Sequence, residues 1–514
     1  MKLLHRLKRG VAPRLRLFAG GATFQFCRRL LRNSDVKHRS DDLRAPRSGS
    51  VAAIEVCSLA WPICVGMLGE TAIGLVDTKL VAGLGASALG GVGVAVTLMY
   101  LNYAIVFGLM RGVKVRTSHA VGEGRPQDGL QYMRAGVLMG LLAGCFVWCV
   151  SRDVTWVLVR LGVDASTIPY ARDFLAARTW GAPAICVLSA LIQYRQGVGD
   201  TRTPMIAGLV GNVINAFLAY GLIYGRFGLP ALGVKGAGYG TAVAETIEVA
   251  IMVYVIAREM KAVRRSSARK TSLSVKKAMR EVSSLGVPTG LQFGLETLAF
   301  IAFTSILSGI GAAQIAAHQV AMAIIRVSFL PGLAVSEAAS VLVGRALGRR
   351  ILGEADRVTR AAVVIAASFM TACGVVFALG GSVIARAFID DVEVAGIVTK
   401  LLYVAAVFQT LDAVTIVLRG ALRAAKDVRV VALIGITVAW CCIPGAAYVL
   451  GLRYGMGALG GWLGFLAETT IAAALFWRRW KKGAWRLRYA PLPLSTAQAE
   501  EEQGPPSTPA TIAA

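Results

Sequence analysis

From about residue 52 to 480, apolar runs of roughly 20 residues alternate with short polar breaks. Twelve runs stand out, at 52–77, 88–113, 132–151, 168–194, 205–225, 236–258, 280–308, 314–342, 358–382, 396–420, 428–450 and 457–478. Each is long enough to cross a bilayer as a helix, and a helix satisfies all its backbone hydrogen bonds within one segment. The shorter alternating segments of a membrane β-barrel are absent. The longest internal break, "EMKAVRRSSARKTSLSVKKAMR" near 259–280, sits mid-chain and reads as a connector between two halves.

The halves repeat. A shift of 226 residues lays Pro62 on Pro288, Glu70 on Glu296, Thr71 on Thr297, and Gly83, Gly85 and Ala86 on Gly309, Gly311 and Ala312. Ala120 and Gly122 fall on Ala346 and Gly348 at the same shift. Later, "AVAETIEVA" (242–250) resembles "FLAETTIAA" (465–473). Each half holds an even number of spans, so both copies point the same way. The expected fold is an all-α integral membrane protein: twelve transmembrane helices in two six-helix lobes, related by pseudo-two-fold symmetry along the membrane normal. The expected division is a basic cytoplasmic tail at 1–50, an N-lobe at 51–258, a cytoplasmic linker at 259–279, a C-lobe at 280–480 and a disordered cytoplasmic tail at 481–514.

Composition agrees: 56% of residues are hydrophobic, 16% are charged, and mean hydropathy is +0.62. The net charge of +26 would suit nucleic acid if it formed one patch. Instead, most Lys and Arg fall in the tails and in alternate loops, the mark of a cytoplasmic face, and aromatic platforms for bases are missing. No nucleic-acid partner is expected; the bilayer is. Residues 1–50 also share the Arg-rich, acid-poor composition of an organellar transit peptide, but the basic loops that follow continue the same sidedness and favour a cytoplasmic tail. Of nine cysteines, Cys27 is in the tail and the rest lie in apolar runs, so neither a disulfide framework nor a zinc site is implied. No GxxxxGK[ST] phosphate loop occurs, and the four histidines suggest no catalytic triad. The chain does not read as an enzyme, and no cofactor is expected.

The informative residues are acids inside spans. A lone carboxylate there costs several kcal/mol unless it is paired or meets water. Glu70 and Asp77 share one face of span 1, about 10 Å apart along the helix. Glu296 sits in span 7 and Asp412 in span 10. Glu245 and Glu468, which are repeat-related, and Glu337, near Arg345, read as structural carboxylates; Glu248 lies beside Glu245. Glu296 and Asp412 have no Lys or Arg within a turn on the same face, and Arg326 is the nearest candidate across helices. Such carboxylates can exchange a proton or hold Na⁺, and an acidic cleft attracts cations. In-span positive charge is expected only from Arg172, Arg178, Arg326 and Lys400.

"GLVDTKLVAGLGASALGGVGVA" (74–95), "VGEGRPQD" (121–128), "QGVGDTRTPMIAGLVGNVINAFLAYGLIYG" (196–225) and "GAAQIAAHQVAM" (311–322) together resemble the multidrug and toxic compound extrusion (MATE) transporters over about residues 52–480. The resemblance implies a cation-coupled antiporter of two six-helix lobes that exports small organic cations in exchange for H⁺ or Na⁺. It implies coupling residues at Asp77, Glu296 and Asp412, with Asn215 and Thr241 as polar partners in the N-lobe. Na⁺, if used, would sit at Glu296 and Asp412. Glu70, Gln292, Phe408 and Gln409 are accessory candidates. Phe408 stands where the family often has a tyrosine, and Ala219 where it often has a polar residue; losing oxygen ligands tilts the expectation towards protons. A bacterial inner-membrane location, with both termini cytoplasmic and the protein acting as a monomer, is expected. The alternative is a lipid-linked precursor or polysaccharide flippase of the same superfamily, which would need a basic cavity.

Overall fold

The computed structural model describes residues 49–151, 155–160, 162–266 and 273–489. The N-terminal tail before residue 49, much of the linker and the 490–514 segment lie outside the described residues. Twelve helices are long and apolar enough to cross a membrane: α1 Gly49–Ala82, α2 Ala86–Gly122, α3 Pro126–Ser151, α4 Ile168–Gly197, α5 Arg202–Tyr224, α6 Val234–Met260, α7 Val275–Ile310, α8 Ala312–Gly348, α9 Leu352–Phe388, α10 Val392–Ala424, α11 Val428–Arg453 and α12 Gly457–Lys482. They match the twelve expected spans in number and order. Several run past the apolar segment at the end that carries the N-terminus and the linker, α2 reaching Gly122 rather than 113. A helix need not stop where the hydrocarbon does, and these polar turns pack on protein.

The repeat is visible in local structure. Pro62 and Pro288 lie inside the first helix of each lobe. Gly85 and Gly311 both cap the N-terminus of the second helix, and Gly85 has φ 105°, a conformation that disfavours a side chain. Outward-facing Leu142, Phe146, Leu379, Val383 and Leu433 are exposed, as a lipid-facing surface requires.

The packed cores show how the lobes meet. Away from the linker, one core holds only N-lobe residues, such as Val81, Met99 and Phe174, and another holds only C-lobe residues, such as Phe303, Leu402 and Trp462. At the linker end the cores cross between lobes: Ala52, Val56 and Ala60 of α1 pack with Val343 and Leu347 of α8, and Val282 of α7 packs with Val113 of α2. The lobes therefore share packed cores at one end and keep their own cores at the other. Glycines allow the closest approach. A Cβ at Gly108 of α2 would stand 2.6 Å from Gly290 Cα and 2.7 Å from Thr289 O of α7, and one at Gly290 would stand 2.6 Å from Ile105 O.

Polar contacts across the lobes concentrate at this same end. Glu337 of α8, only 3% exposed, is held between Arg111, at 2.5 Å, and Lys114, both from α2. Glu281 of α7 accepts from Tyr132 of α3 at 2.6 Å and pairs with Arg116 of α2 at 3.3 Å. His119 Nε2 donates to Ala424 O at 2.8 Å. A short C-terminal segment braces the joint: Trp485 stacks on Trp480, and Tyr489 stacks on His119 at 5.8 Å.

Removing one member of a buried ion pair typically costs about 3–5 kcal/mol, because the other charge remains desolvated. Glu337→Gln leaves Arg111 and Lys114 as like charges in the joint. The variant is expected to melt at lower temperature and to lengthen the α2–α8 distance at the linker end, read by paired spin labels. An unchanged distance distribution would contradict this role for Glu337.

Candidate functional site

In the N-lobe, α1 and α5 bring Asp77 and Asn215 together. Asn215 Nδ2 donates to Asp77 Oδ2 at 2.9 Å. Asn215 is 4% exposed, and the other oxygen of each side chain, Asp77 Oδ1 and Asn215 Oδ1, is buried without a hydrogen-bond partner. Two acceptors with no donor leave a place that a proton or a small cation would satisfy. Nearby, Arg178 grips Glu245 of α6 with two hydrogen bonds, 2.9 and 2.5 Å. Arg178 sits where α4 breaks into a single 3-10 turn, Thr179–Gly181, before Pro183. Its guanidinium lies 5.8 Å from the Tyr103 ring. Glu70 and Glu248 feel the charge of Glu245, and the Glu248 carboxylate packs against Gly211 of α5, where a Cβ would collide with it. Arg178 thus pairs with Glu245 and feels the charge of Asp77, while Glu70 and Glu248 gather around Glu245. Thr241 spends its hydroxyl proton on Ala237 O of its own helix, at 3.0 Å.

The C-lobe cluster has the same plan with a different charge balance. Glu296 of α7 accepts from Gln292 Nε2 at 2.8 Å and pairs with Arg419 of α10 at 3.3 Å. Arg419 also reaches Glu468 of α12 at 3.6 Å. Gln292 is fully buried, and its Oε1 accepts from Arg423 at 3.0 Å. Asp412 lies two turns before Arg419 on α10, close enough to feel its charge. Phe293 lies between Arg111, at 4.8 Å, and Arg423, at 5.0 Å. In each lobe, then, a glutamate of the first helix (Glu70, Glu296) and one of the last (Glu245, Glu468) share a cluster with an arginine of the fourth (Arg178, Arg419). The C-lobe carboxylates Glu296, Glu337, Asp412 and Glu468, however, are balanced by Arg419 and Arg423 of their own lobe and by Arg111 and Lys114 of α2, across the seam.

Two sequence expectations are corrected. Glu296 does have a basic partner, Arg419, which approaches from another helix; Arg326 is exposed. Of the four expected in-span bases, Arg178 enters a charged cluster, while Arg172, Arg326 and Lys400 are exposed. The bases that matter, Arg111, Lys114, Arg419 and Arg423, were missed. The available signal was the seven-residue spacing of Asp412 and Arg419, two turns on one face. Among the accessory candidates, Gln292 joins the Glu296 cluster. Phe408 packs beside Trp462, and Gln409 donates to Ser328 at 2.6 Å within the buried packing of α8 and α10. A separate open pocket of about 490 Å³ lies between the ends of α1 and α5, and its Lys79 and Arg226 suit an anion better than a cation.

Two lobes of six helices, joined at one end and lined with internal carboxylates, define a membrane transporter. The model of the MatE family matches residues 62–221 and 288–448, one match per repeat. The chain belongs to the MatE family, whose members are transporters and not enzymes. It is 28% identical over 425 residues to "Probable multidrug resistance protein NorM" of Xylella fastidiosa, covering 82% of this chain and 90% of that one. It is 27% identical over 430 residues to "Multidrug resistance protein MdtK" of Yersinia pestis, covering 83% and 94%. Among solved structures, a MOP superfamily transporter from Pyrococcus furiosus superposes with TM-score 0.76 at 20% identity, covering 85% of this chain and 97% of that one. The eukaryotic MATE transporter AtDTX14 does so with TM-score 0.76 at 18% identity, covering 88% and 99%.

If Arg419 is what stabilises Glu296, the two substitutions should not add. Arg419→Gln alone is expected to lower the melting temperature, and Glu296→Gln in the same chain to restore part of the loss. The coupling should be about 1–3 kcal/mol in a double-mutant cycle. Additive losses would mean that the pair does not interact.

Proposed function

We propose that this protein is a secondary antiporter that exports small organic cations in exchange for a proton, by alternating access of a cleft between the lobes. The observation that carries this reading is the pair of unpartnered buried oxygens on Asp77 and Asn215, beside a cluster of Glu70, Glu245 and Glu248 in which, among the described residues, only Glu245 has an ion-pair partner. The ion visits Asp77; its arrival neutralises the carboxylate and loosens the hold on cationic cargo. Asp412, Glu296 and Glu468 offer cargo a second acidic wall, tempered by Arg419. The proton is favoured over Na⁺ because Ala219 supplies no side-chain oxygen and Gln409 and Phe408 are turned to packing. Thr241, whose hydroxyl donates to Ala237 O, keeps an oxygen lone pair for Na⁺, should Na⁺ be used.

Names of relatives that include "multidrug resistance" support a broad range of cargo. The bacterial relatives support a cytoplasmic (inner) membrane. With the basic linker in the cytoplasm, the end at which the lobes share packed cores faces inward. One charge crossing 100 mV yields about 2.3 kcal/mol, enough for more than a tenfold cargo gradient. The flippase alternative lacks support: the bases of the central region are matched by carboxylates, so no surplus positive charge awaits a pyrophosphate.

Reconstituted into liposomes, the protein should export a fluorescent organic cation when a proton gradient is imposed and not when a Na⁺ gradient alone is imposed. Asp77→Asn should reduce proton-driven export to near background, while Glu70→Gln reduces it less. Undiminished proton-driven export by Asp77→Asn would reject this assignment.

A further inference from the structure

A cavity of about 250 Å³ opens at the linker end of the seam, where both lobes and the start of α7 meet. Its wall includes Arg116 and His119 of α2, Lys277 of α7, and Lys426 in the turn between α10 and α11. Its carboxylates are already engaged. Glu123 and Asp128 are held by Arg125, and Glu281 is held by Arg116 and Tyr132. The ammonium groups are not: among the described residues, neither Lys277 nor Lys426 has an ion-pair partner. Lys426 lies 6.0 Å from the Tyr489 ring and is half-buried. Burial and the nearby Arg116 hold its pKa down at about 8.

A second observation concerns His119 of the same wall. His119 is 2% exposed, and its Nε2 is committed to Ala424 O. A carbonyl only accepts, so Nε2 carries the proton, and Nδ1 is left as a buried acceptor with no partner. The cavity therefore combines two ammonium groups that have no ion-pair partner among the described residues, Lys426 feeling Glu123 and Glu281 only at a distance, with an imidazole acceptor that has no donor. A phosphate that keeps one acidic proton has both features: oxyanions for the lysines and a P–OH for the imidazole. Neither the coupling ion nor the cationic cargo does.

We infer that this cavity binds a phosphate group, and that its occupant clamps the two lobes together at the linker end. The clamp follows from position: Arg116 and His119 belong to one lobe, Lys277 and Lys426 to the other. A ligand bridging them binds the joined state and not the parted one, and stabilises it by that difference. The phosphate has two sources with the same chemistry, a free phosphate or the headgroup of a phosphatidate-like lipid reaching the seam.

The test uses the full chain and the double variant Lys277→Gln/Lys426→Gln, neither residue being part of the proposed ion or cargo site. In detergent, the melting temperature is followed against inorganic phosphate at constant ionic strength, with chloride as the control. In parallel, both proteins are placed in nanodiscs of phosphatidylcholine with or without phosphatidic acid, and linker-end distances across the seam are read with paired spin labels. A saturable rise in melting temperature with inorganic phosphate, absent with chloride and weakened about tenfold or more in apparent affinity in the double variant, supports a free-phosphate site; loss of one charge-assisted hydrogen bond is worth that much. A shortening of the distances by phosphatidic acid alone, lost in the double variant, supports a headgroup site. No saturable response to either probe, or a response of equal size in the double variant, overturns the inference. Cation export by the double variant, measured without phosphate, shows that it is folded.

Discussion

A carboxylate in the interior of a membrane protein needs positive charge near it, and the structure supplies that charge in two ways. In the C-lobe it is built in: Arg419 serves Glu296 and Glu468, and Arg111 and Lys114 serve Glu337. In the N-lobe it is rationed. Arg178 is committed to Glu245, and Asp77, which feels that guanidinium only at a distance, is hydrogen-bonded by the amide of Asn215. The unequal supply separates carboxylates held in ion pairs from Asp77, the one to which the proposed mechanism assigns the coupling proton.

The same constraint organises the movement that the fold permits. The lobes touch through small residues and a few ion pairs at one end, while each keeps its own core at the other. Parting the joined end would expose Glu337, Arg111 and Lys114 to water, which lowers the cost of separating them. Such a joint can be stable closed without being permanent. The N-lobe helix α2 carries Arg111, Lys114, Arg116 and His119, and so supplies polar contacts to α7, α8 and the end of α10 across the seam.

Much of the architecture was legible in the sequence because lipid imposes a simple code: length, hydropathy and the distribution of Lys and Arg. Twelve spans and two copies followed from that code and from Pro62, Glu70 and their counterparts Pro288 and Glu296. The pairing of Asp77 with Asn215 was legible through family resemblance. Charge balance was not. Arg419 meets Glu296 through the packing of α10 on α7, a contact between residues far apart in the chain, and a search confined to one helical turn could not find it. Neither Arg111, inside the expected span 88–113, nor Lys114, just beyond it, is among the expected in-span bases; both reach the seam because this part of α2 packs against Glu337 of α8. Thr241, Phe408 and Gln409 have the right residue types in the right spans, but whether their atoms are free is decided by local hydrogen bonding and packing.

The account turns on Asp77 being the group that exchanges its proton for cargo. The most direct measurement is the pH change when an organic cation is added to the purified protein in weak buffer. Release of about one proton per cation bound, abolished in Asp77→Asn and retained in Glu296→Gln, is the predicted result. Release that persists in Asp77→Asn, or cation binding that releases no proton from the unaltered protein, would contradict it.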